Sequence, residues 1–224
     1  MNKKPVIEVR DLGCKFGNQA VLEGVNLDVY EGEVLVIMGG SGSGKSTILR
    51  HLIGTYIPDA GSVKIFGEDL ALLNEDSMNK IRRQFGILFQ SGALFNSMSV
   101  ADNVALSLRE HTDLDPDIIS FIVKIKLEQV GLREAADKNP SEISGGMKKR
   151  AGLARALALD PKLLFYDEPS AGLDPVTSAS IDQLILDLAK KAGVTSVVVT
   201  HEMNSAFVIA DRMAMLDKGK MIMV

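Results

Sequence analysis

Apolar positions along this chain fall into two rhythms, and the places where one gives way to the other divide it into elements. Near the start, Val6, Val9 and Leu12, then Val21, Val25, Leu27 and Val29, sit in short β-like runs separated by the turn-forming Phe16-Gly17-Asn18. This pattern predicts an antiparallel β region. A continuous apolar run at 33–38 reads as a buried strand, and 46–53 takes up helical spacing. The turn Pro58-Asp59-Ala60-Gly61, a strand over 62–66, a short polar helix over 76–83 and an apolar strand over 86–89 follow.

After Ser99 the strand–helix alternation stops. Helices are predicted over 100–109 and 117–130, and Ile118, Ile122 and Ile125 with Ile119, Val123, Leu127 and Val130 give the second a broad buried face. The interruption reads as an inserted helical subdomain over 91–159, ended by a helix over 147–159, within a core made of 1–90 and 160–224. It is also the expected partner-docking surface. Alternation resumes with a strand ending at Asp167, a helix over 175–191 and a strand over 194–200. The predicted fold class is α/β, with a parallel-sheet core, an N-terminal antiparallel β region and the helical insertion, all in one unit of 224 residues.

Candidate chemistry gathers where strands end. Gly39-Gly40-Ser41-Gly42-Ser43-Gly44-Lys45-Ser46 fills every fixed position of the phosphate-binding pattern G-x-x-x-x-G-K-[ST], and it lies between a predicted strand and helix, as that pattern requires. Glycines let successive N–H groups point at one centre beside the positive end of the following helix. Lys45 would reach the terminal phosphates of a polyphosphate, the Ser46 hydroxyl would ligate Mg²⁺, and Thr47 extends the helix start. A flexible Gly/Ser linker shares the composition but not the setting.

Asp167 and Glu168 close another predicted strand. Adjacent strand residues point to opposite sides, so Asp167 can hold the Mg²⁺ shell while Glu168 faces the terminal phosphate and polarises an attacking water. Gln90 and His201 end two further strands, where an amide could ligate Mg²⁺ or orient water and an imidazole could hydrogen-bond the phosphate; taken alone, each is a common turn residue. Ser144-Gly145-Gly146 opens a helix and forms a second anion-directed start without its own lysine. Phe16 could stack on an adenine ring, although a lone aromatic in a β region is more often packing.

Charge and composition narrow the partners. A net charge of −4 argues against nucleic acid, and a 46% hydrophobic composition supports a full core. The one cysteine, Cys14, excludes an internal disulfide and reads as a small buried or strand residue. Met1-Asn2-Lys3-Lys4-Pro5 is charged, but a β-like run follows it, so no secretion signal is read there, and no segment approaches the ~18 apolar residues of a membrane span.

The order of these motifs, with Ser170-Ala171-Gly172-Leu173-Asp174 between Glu168 and His201, resembles the ABC ATPases over nearly the whole chain. That resemblance implies an ABC-type P-loop NTPase with a RecA-like core and a head-to-tail homodimer binding ATP and Mg²⁺ between subunits. It implies adenine stacking by Phe16, phosphate contacts from 39–47, and Mg²⁺ contacts by Ser46, Gln90 and Asp167. Glu168 resembles the catalytic base and His201 the switch histidine; Ser144, Gly145, Gly146 and Met147 resemble the loop that reaches the partner's ATP, and Asp174 the residue linking the two sites.

Met147 stands where relatives usually have Gln or Glu and precedes Lys148-Lys149-Arg150, as in the phospholipid-transporting Mla and Mce ATPases. Phe89-Gln90-Ser91-Gly92-Ala93-Leu94-Phe95 and Leu108-Arg109-Glu110-His111-Thr112 resemble the Mla group in particular. The resemblance implies a peripheral protein on the cytoplasmic face of a bacterial inner membrane that powers phospholipid transport and outer-membrane lipid asymmetry. Its implied partners are a transmembrane permease (MlaE-like), an Mce-domain lipid-binding subunit (MlaD-like) and a small accessory subunit (MlaB-like). Alternatives are an FtsE-like signalling ATPase, an ABC ATPase for another cargo, and a soluble ABC protein acting on ribosomes or DNA. Lys218-Gly219-Lys220-Met221-Ile222-Met223-Val224 stands where relatives usually continue into another strand and tail.

Overall fold

The computed structural model describes residues 5–224, so the charged start Met1 to Lys4 lies outside the described residues. Strands β1 (Pro5–Phe16) and β2 (Gln19–Tyr30) form a hairpin closed by the Phe16↔Gln19 pair around Gly17-Asn18. β4 (Ala60–Ile65) joins β1 antiparallel, and the two-residue β5 (Glu68–Asp69) completes a sheet of order β2-β1-β4-β5. This is the expected antiparallel region. Cys14 is buried within β1.

A second sheet has the order β10-β9-β3-β8-β7-β6. Its parallel strands are β3 (Val34–Met38), β6 (Phe85–Leu88), β7 (Leu163–Asp167), β8 (Thr195–Thr200) and β9 (Arg212–Asp217), with β10 (Lys220–Met223) antiparallel at the edge. The strands at its centre are apolar at nearly every position because both faces are covered. Val34, Val36, Leu164, Tyr166 and Val198 pack into one core, while Leu35, Ile37, Leu163, Phe165, Val197 and Val199 pack into the other.

The second of these cores is closed by α1 (Lys45–Leu52) and the antiparallel sheet. The first is closed by α3 (Val100–His111), α4 (Pro116–Gln129), α5 (Gly145–Ala156), α6 (Pro175–Ala192) and α7 (Met203–Ile209). Short α2 (Glu75–Arg82) lies beside β6. The helical insertion therefore shares its core with one face of the sheet.

Two expectations need correction. α4 buries Ile119, Val123 and Leu127, with Val130 just beyond its end, but Ile118 is 48% exposed and Ile125 42%, and between them Phe121 is 64% exposed. The helix packs on α3 and α5 along one stripe, so the broad apolar face anticipated from the sequence is half covered and half presented to solvent. The helix expected over 147–159 starts earlier and stops earlier, at Gly145 and Ala156: Ser144 caps its start, and past Leu157 the bonds tighten to turns, Ala158 N–H to the Arg155 carbonyl at 3.1 Å and Asp160 N–H to the Leu157 carbonyl at 3.0 Å. The sequence pattern assigns no element to α7 or β9. Both are short, and β9 has only Ala214 and Leu216 buried, too few to set a period.

Candidate active site

Parallel pairing brings the carboxyl ends of β3, β6, β7 and β8 to one edge of the sheet, and each strand there runs into a loop bearing candidate chemistry. β3 leads into 39–46, β7 into Glu168, β8 into His201 and β6 into Gln90. Gln90 lies two residues beyond the end of β6, exposed in a turn. It is therefore carried by the loop that follows the strand and not by the strand itself.

The 39–46 loop is wound tightly over the start of α1. Gly44 takes φ 107°, open to glycine alone among ordinary residues, and its carbonyl accepts the first helical bond from Ile48 N–H at 2.9 Å. A Cβ at Gly39 would collide with the Leu216 carbonyl and come within 2.5 Å of Ser43 Oγ. Lys45 Nζ folds back to donate to the Gly39 carbonyl at 2.7 Å and the Gly40 carbonyl at 2.9 Å. No side chain caps α1 and its first turn holds no acid, so the helix start is left open to an anion. Ser43 Oγ is buried without a hydrogen-bond partner, a polar atom inside the cradle that a bound phosphate could satisfy.

Glu168 lies past the end of β7 at φ 49°, so its direction is set by a left-handed turn and the alternation argument used for the Asp167–Glu168 pair does not apply to it. Its N–H donates to the Val199 carbonyl at 2.8 Å. Thr200 Oγ1 donates to Oε2 at 3.1 Å, the His201 N–H donates to the same oxygen at 3.3 Å, and His201 Nδ1 lies 2.9 Å from Oε1. That last contact places a ring proton on Nδ1. The carboxylate side chain is 12% exposed and the imidazole 56%, so the histidine fronts solvent and the glutamate sits behind it.

Asp167 is half-buried, and burial followed by the neighbouring Glu168 charge pushes its carboxyl above the ordinary range, against Arg50 and Lys45. A carboxylate so placed gains from a cation. Among the described residues no cluster of three or more His, Cys, Asp or Glu side chains could hold a metal alone. One carboxylate with a hydroxyl and an amide suits Mg²⁺, which draws its remaining ligands from phosphate and water.

Ser144 is the N-cap of α5, accepting from Met147 N–H at 3.3 Å, and both it and Gly145 are exposed. Gly146 is buried, and a Cβ there would collide with Thr177 Cγ2 on α6. Among the described residues no hydrogen bond joins this loop to the 39–46 loop. Asp174 caps α6, accepting from Val176 N–H at 3.1 Å and Thr177 N–H at 3.0 Å, and the Thr177 hydroxyl and amide hold its carboxyl below the usual range. Phe16 is 51% exposed and meets Tyr56 edge-on at 5.8 Å, so the ring both packs, as its β setting favoured, and keeps a free surface.

Two residues with a place in this site carried no signal by type. Thr200 is an ordinary strand residue until its hydroxyl is seen on Glu168. Lys149 lies in a basic triplet that reads as solvated, yet Gly146, Gly152 and Leu153, three and four positions away, are all buried. That register was the available clue.

A family model described as ABC transporter matches residues 22–171. The chain is 48% identical over 217 residues to the probable ribonucleotide transport ATP-binding protein Mkl of Mycobacterium leprae, covering 97% of this chain and 62% of that protein. It spans about three fifths of the length of the mycobacterial relatives it matches, which are covered to 60–62%. It is 44% identical to the intermembrane phospholipid transport system ATP-binding protein MlaF of Haemophilus influenzae, covering 97% of this chain and 82% of that one. Among solved structures, a dimeric ATP-binding cassette in a post-hydrolysis state bound to ADP and phosphate superposes with TM-score 0.89 at 32% identity, covering 97% of each chain. The cassette cbiO1 from Clostridium perfringens gives 0.90 at 29% identity, covering 99% of this chain and 88% of that one.

Proposed function

The chain belongs to the ABC transporter family, and from that membership we propose that it is the ATP-binding and ATP-hydrolysing subunit of a phospholipid transporter. The observation that carries the hydrolytic part is the Glu168 carboxylate, held by Thr200 and His201 at the same edge of the sheet from which the phosphate-binding loop leaves β3. The base of a hydrolase must accept a proton from a water aligned on the terminal phosphate, and a carboxylate fixed by three donors loses little freedom in doing so.

In this reading Phe16 supports the adenine, and Gly39, Gly40, Ser41, Gly42, Ser43, Gly44, Lys45, Ser46 and Thr47 enclose the phosphates. Ser46, Gln90 and Asp167 hold Mg²⁺, which when bound offsets phosphate charge. Lys45 exchanges its two loop carbonyls for phosphate oxygens. His201 holds Glu168 from the solvent side and meets the terminal phosphate with its exposed edge. Ser144, Gly145, Gly146 and Met147 serve the ATP of a second copy, and Asp174 links the two sites. A family neighbour solved as a dimer supports the pairing.

No helix among the described residues is long and apolar enough to cross a membrane. By likeness to the Haemophilus relative, the proposed place of the chain is the cytoplasmic face of the inner membrane, working through a permease of the MlaE kind with an Mce-domain subunit of the MlaD kind and a small subunit of the MlaB kind. The phospholipid cargo, and through it outer-membrane lipid asymmetry, rests on likeness to the Haemophilus relative and on the Met147 and Gln90 neighbourhoods. The Mycobacterium leprae relative, at 48% identity, supports ribonucleotide cargo as a second reading.

Glu168→Gln should keep ATP binding and lose turnover by about a hundredfold or more; steady hydrolysis in that variant overturns the assignment. Affinity purification from the native membrane in mild detergent, with proteins and lipids identified by mass spectrometry, tests the rest. A permease with an Mce-domain subunit and bound phospholipid supports lipid transport. A division-type membrane partner without lipid transfers the chain to signalling, and co-purifying ribonucleotide with a permease favours the second cargo.

A further inference from the structure

Lys149 is 5% exposed, on the buried stripe of α5, five residues into the helix that Ser144 caps. Its ammonium donates to the Glu168 carbonyl at 3.0 Å and to the Ala171 carbonyl at 2.7 Å. Among the described residues no carboxylate stands within ion-pair range of it, so the charge is met by two backbone carbonyls and the more distant Glu168 side chain. A buried cation is costly to hold, and a lysine whose hydrogen bonds all go to backbone carbonyls fixes that backbone in place.

The backbone it holds is the strained part of the site. Glu168 is at φ 49°, a conformation that costs of order 1–3 kcal/mol for a non-glycine residue and persists only where the surroundings impose it. On one side the Glu168 N–H is tied to Val199; on the other its carbonyl also accepts from Ala171 N–H at 3.2 Å. Lys149 bridges both carbonyls of that turn from a different element, the helix whose first residues form the second anion-binding loop. Movement of α5 would be felt at Glu168 through one side chain.

We propose that Lys149 is a positioning residue that holds the Glu168–Ala171 turn in its left-handed form and links α5 mechanically to the hydrolytic carboxylate. This rests on the hydrolytic reading of Glu168 given above. Lys149 touches no substrate and acts through Glu168 alone. Removing the ammonium relaxes the turn, and a displacement of the base on the order of 1 Å lowers turnover by about ten- to a hundredfold.

The test compares the unaltered protein with Lys149→Met, which keeps the apolar stem, and Lys149→Gln, which keeps a neutral donor. Expected for Lys149→Met is a kcat lowered at least about tenfold with the KM for ATP within about threefold, cooperative unfolding retained, and faster hydrogen exchange at the Glu168 and Ala171 amides only; Lys149→Gln should fall between it and the wild type. Unchanged kcat and exchange in Lys149→Met, or a loss of kcat with uniform loosening of the whole chain, overturns the proposal. If Lys149→Met does not fold, Lys149→Gln decides by the same two measurements. The hydrolytic reading fails separately, when wild type and Glu168→Gln turn over alike; the exchange measurement then still judges the link between Lys149 and the turn.

Discussion

The turn at Glu168 and the loop at Ser144 are joined by one lysine, yet they are built in opposite ways. Glu168 is enclosed: Thr200 and His201 hold its carboxylate, Val199 its N–H and Lys149 its carbonyl, in a conformation that no isolated glutamate would favour. Ser144 spends its hydroxyl on its own helix, and Gly145 beside it faces open space. In the first kind each of these polar groups of the turn finds its partner within one chain. The second kind is a capped helix start whose exposed residues, among the described residues, make no hydrogen bond to the 39–46 loop.

The contrast breaks most sharply at the enclosed side. Glu168→Gln keeps the shape and two of its donors but cannot take a proton, so turnover should drop by about a hundredfold or more while ATP binding persists, measured by phosphate release beside nucleotide titration. Closing the open side by force comes next. Gly146→Val drives a side chain into Thr177, which should cost about 1–3 kcal/mol in stability, and Thr177→Ala in the same chain should restore part of it by removing the colliding methyl. Denaturant unfolding of both variants reads the coupling; equal losses in each would show that the contact is loose.

A smaller effect attends Ser144→Ala. Losing the cap should cost about 1 kcal/mol of stability, and if the loop serves a second copy its effect on turnover should deepen as protein is diluted. A concentration-independent loss would place the loop's work within one chain.

The smallest effect is a pH dependence. Asp167 is an acid whose folded carboxyl titrates above its ordinary value of 3.8, so the folded chain keeps a proton at pH values where the unfolded chain has released it. Its ionised form therefore lowers apo stability near neutrality, and that penalty fades as pH falls through the raised value. Asp167→Asn should lift the nucleotide-free Tm at about pH 7 by a small amount and leave it unchanged once Asp167 is protonated. Because Asp182 is shifted the same way by burial, the difference between variant and wild type is the quantity to follow. Thermal scans across that pH range check it, and a lower Tm for the variant at neutral pH contradicts the argument.

Much of this molecule is written in local pattern. The phosphate loop is contiguous, so its glycines, Lys45 and Ser46 were legible from eight residues, and the strands at the centre of the sheet announced themselves by being apolar at nearly every position. Asp174 shows itself as the cap of α6 only in the structure, whereas the Ser144 helix start also read directly, since it acts within its own first turn. The exposed half of α4 did not, because Ile118 and Ile125 obey the same helical spacing as their buried neighbours and only the placing of α3 and α5 decides which stripe is covered.

The sequence by itself determined most of the order of elements up to β8, the central parallel strands and the residue types gathered at their edge, because those follow from short-range period and from motifs a few residues long; α7 and the parallel strand β9 were too short or too little buried to be read. Tertiary structure alone decided that Glu168 turns left-handed, that Thr200 and His201 close on its carboxylate, and that Lys149, 19 positions before it, is buried beneath its carbonyl. The reason is physical. A backbone held at positive φ and a cation held in a core are both unfavourable locally, and only contacts from elsewhere in the chain sustain them.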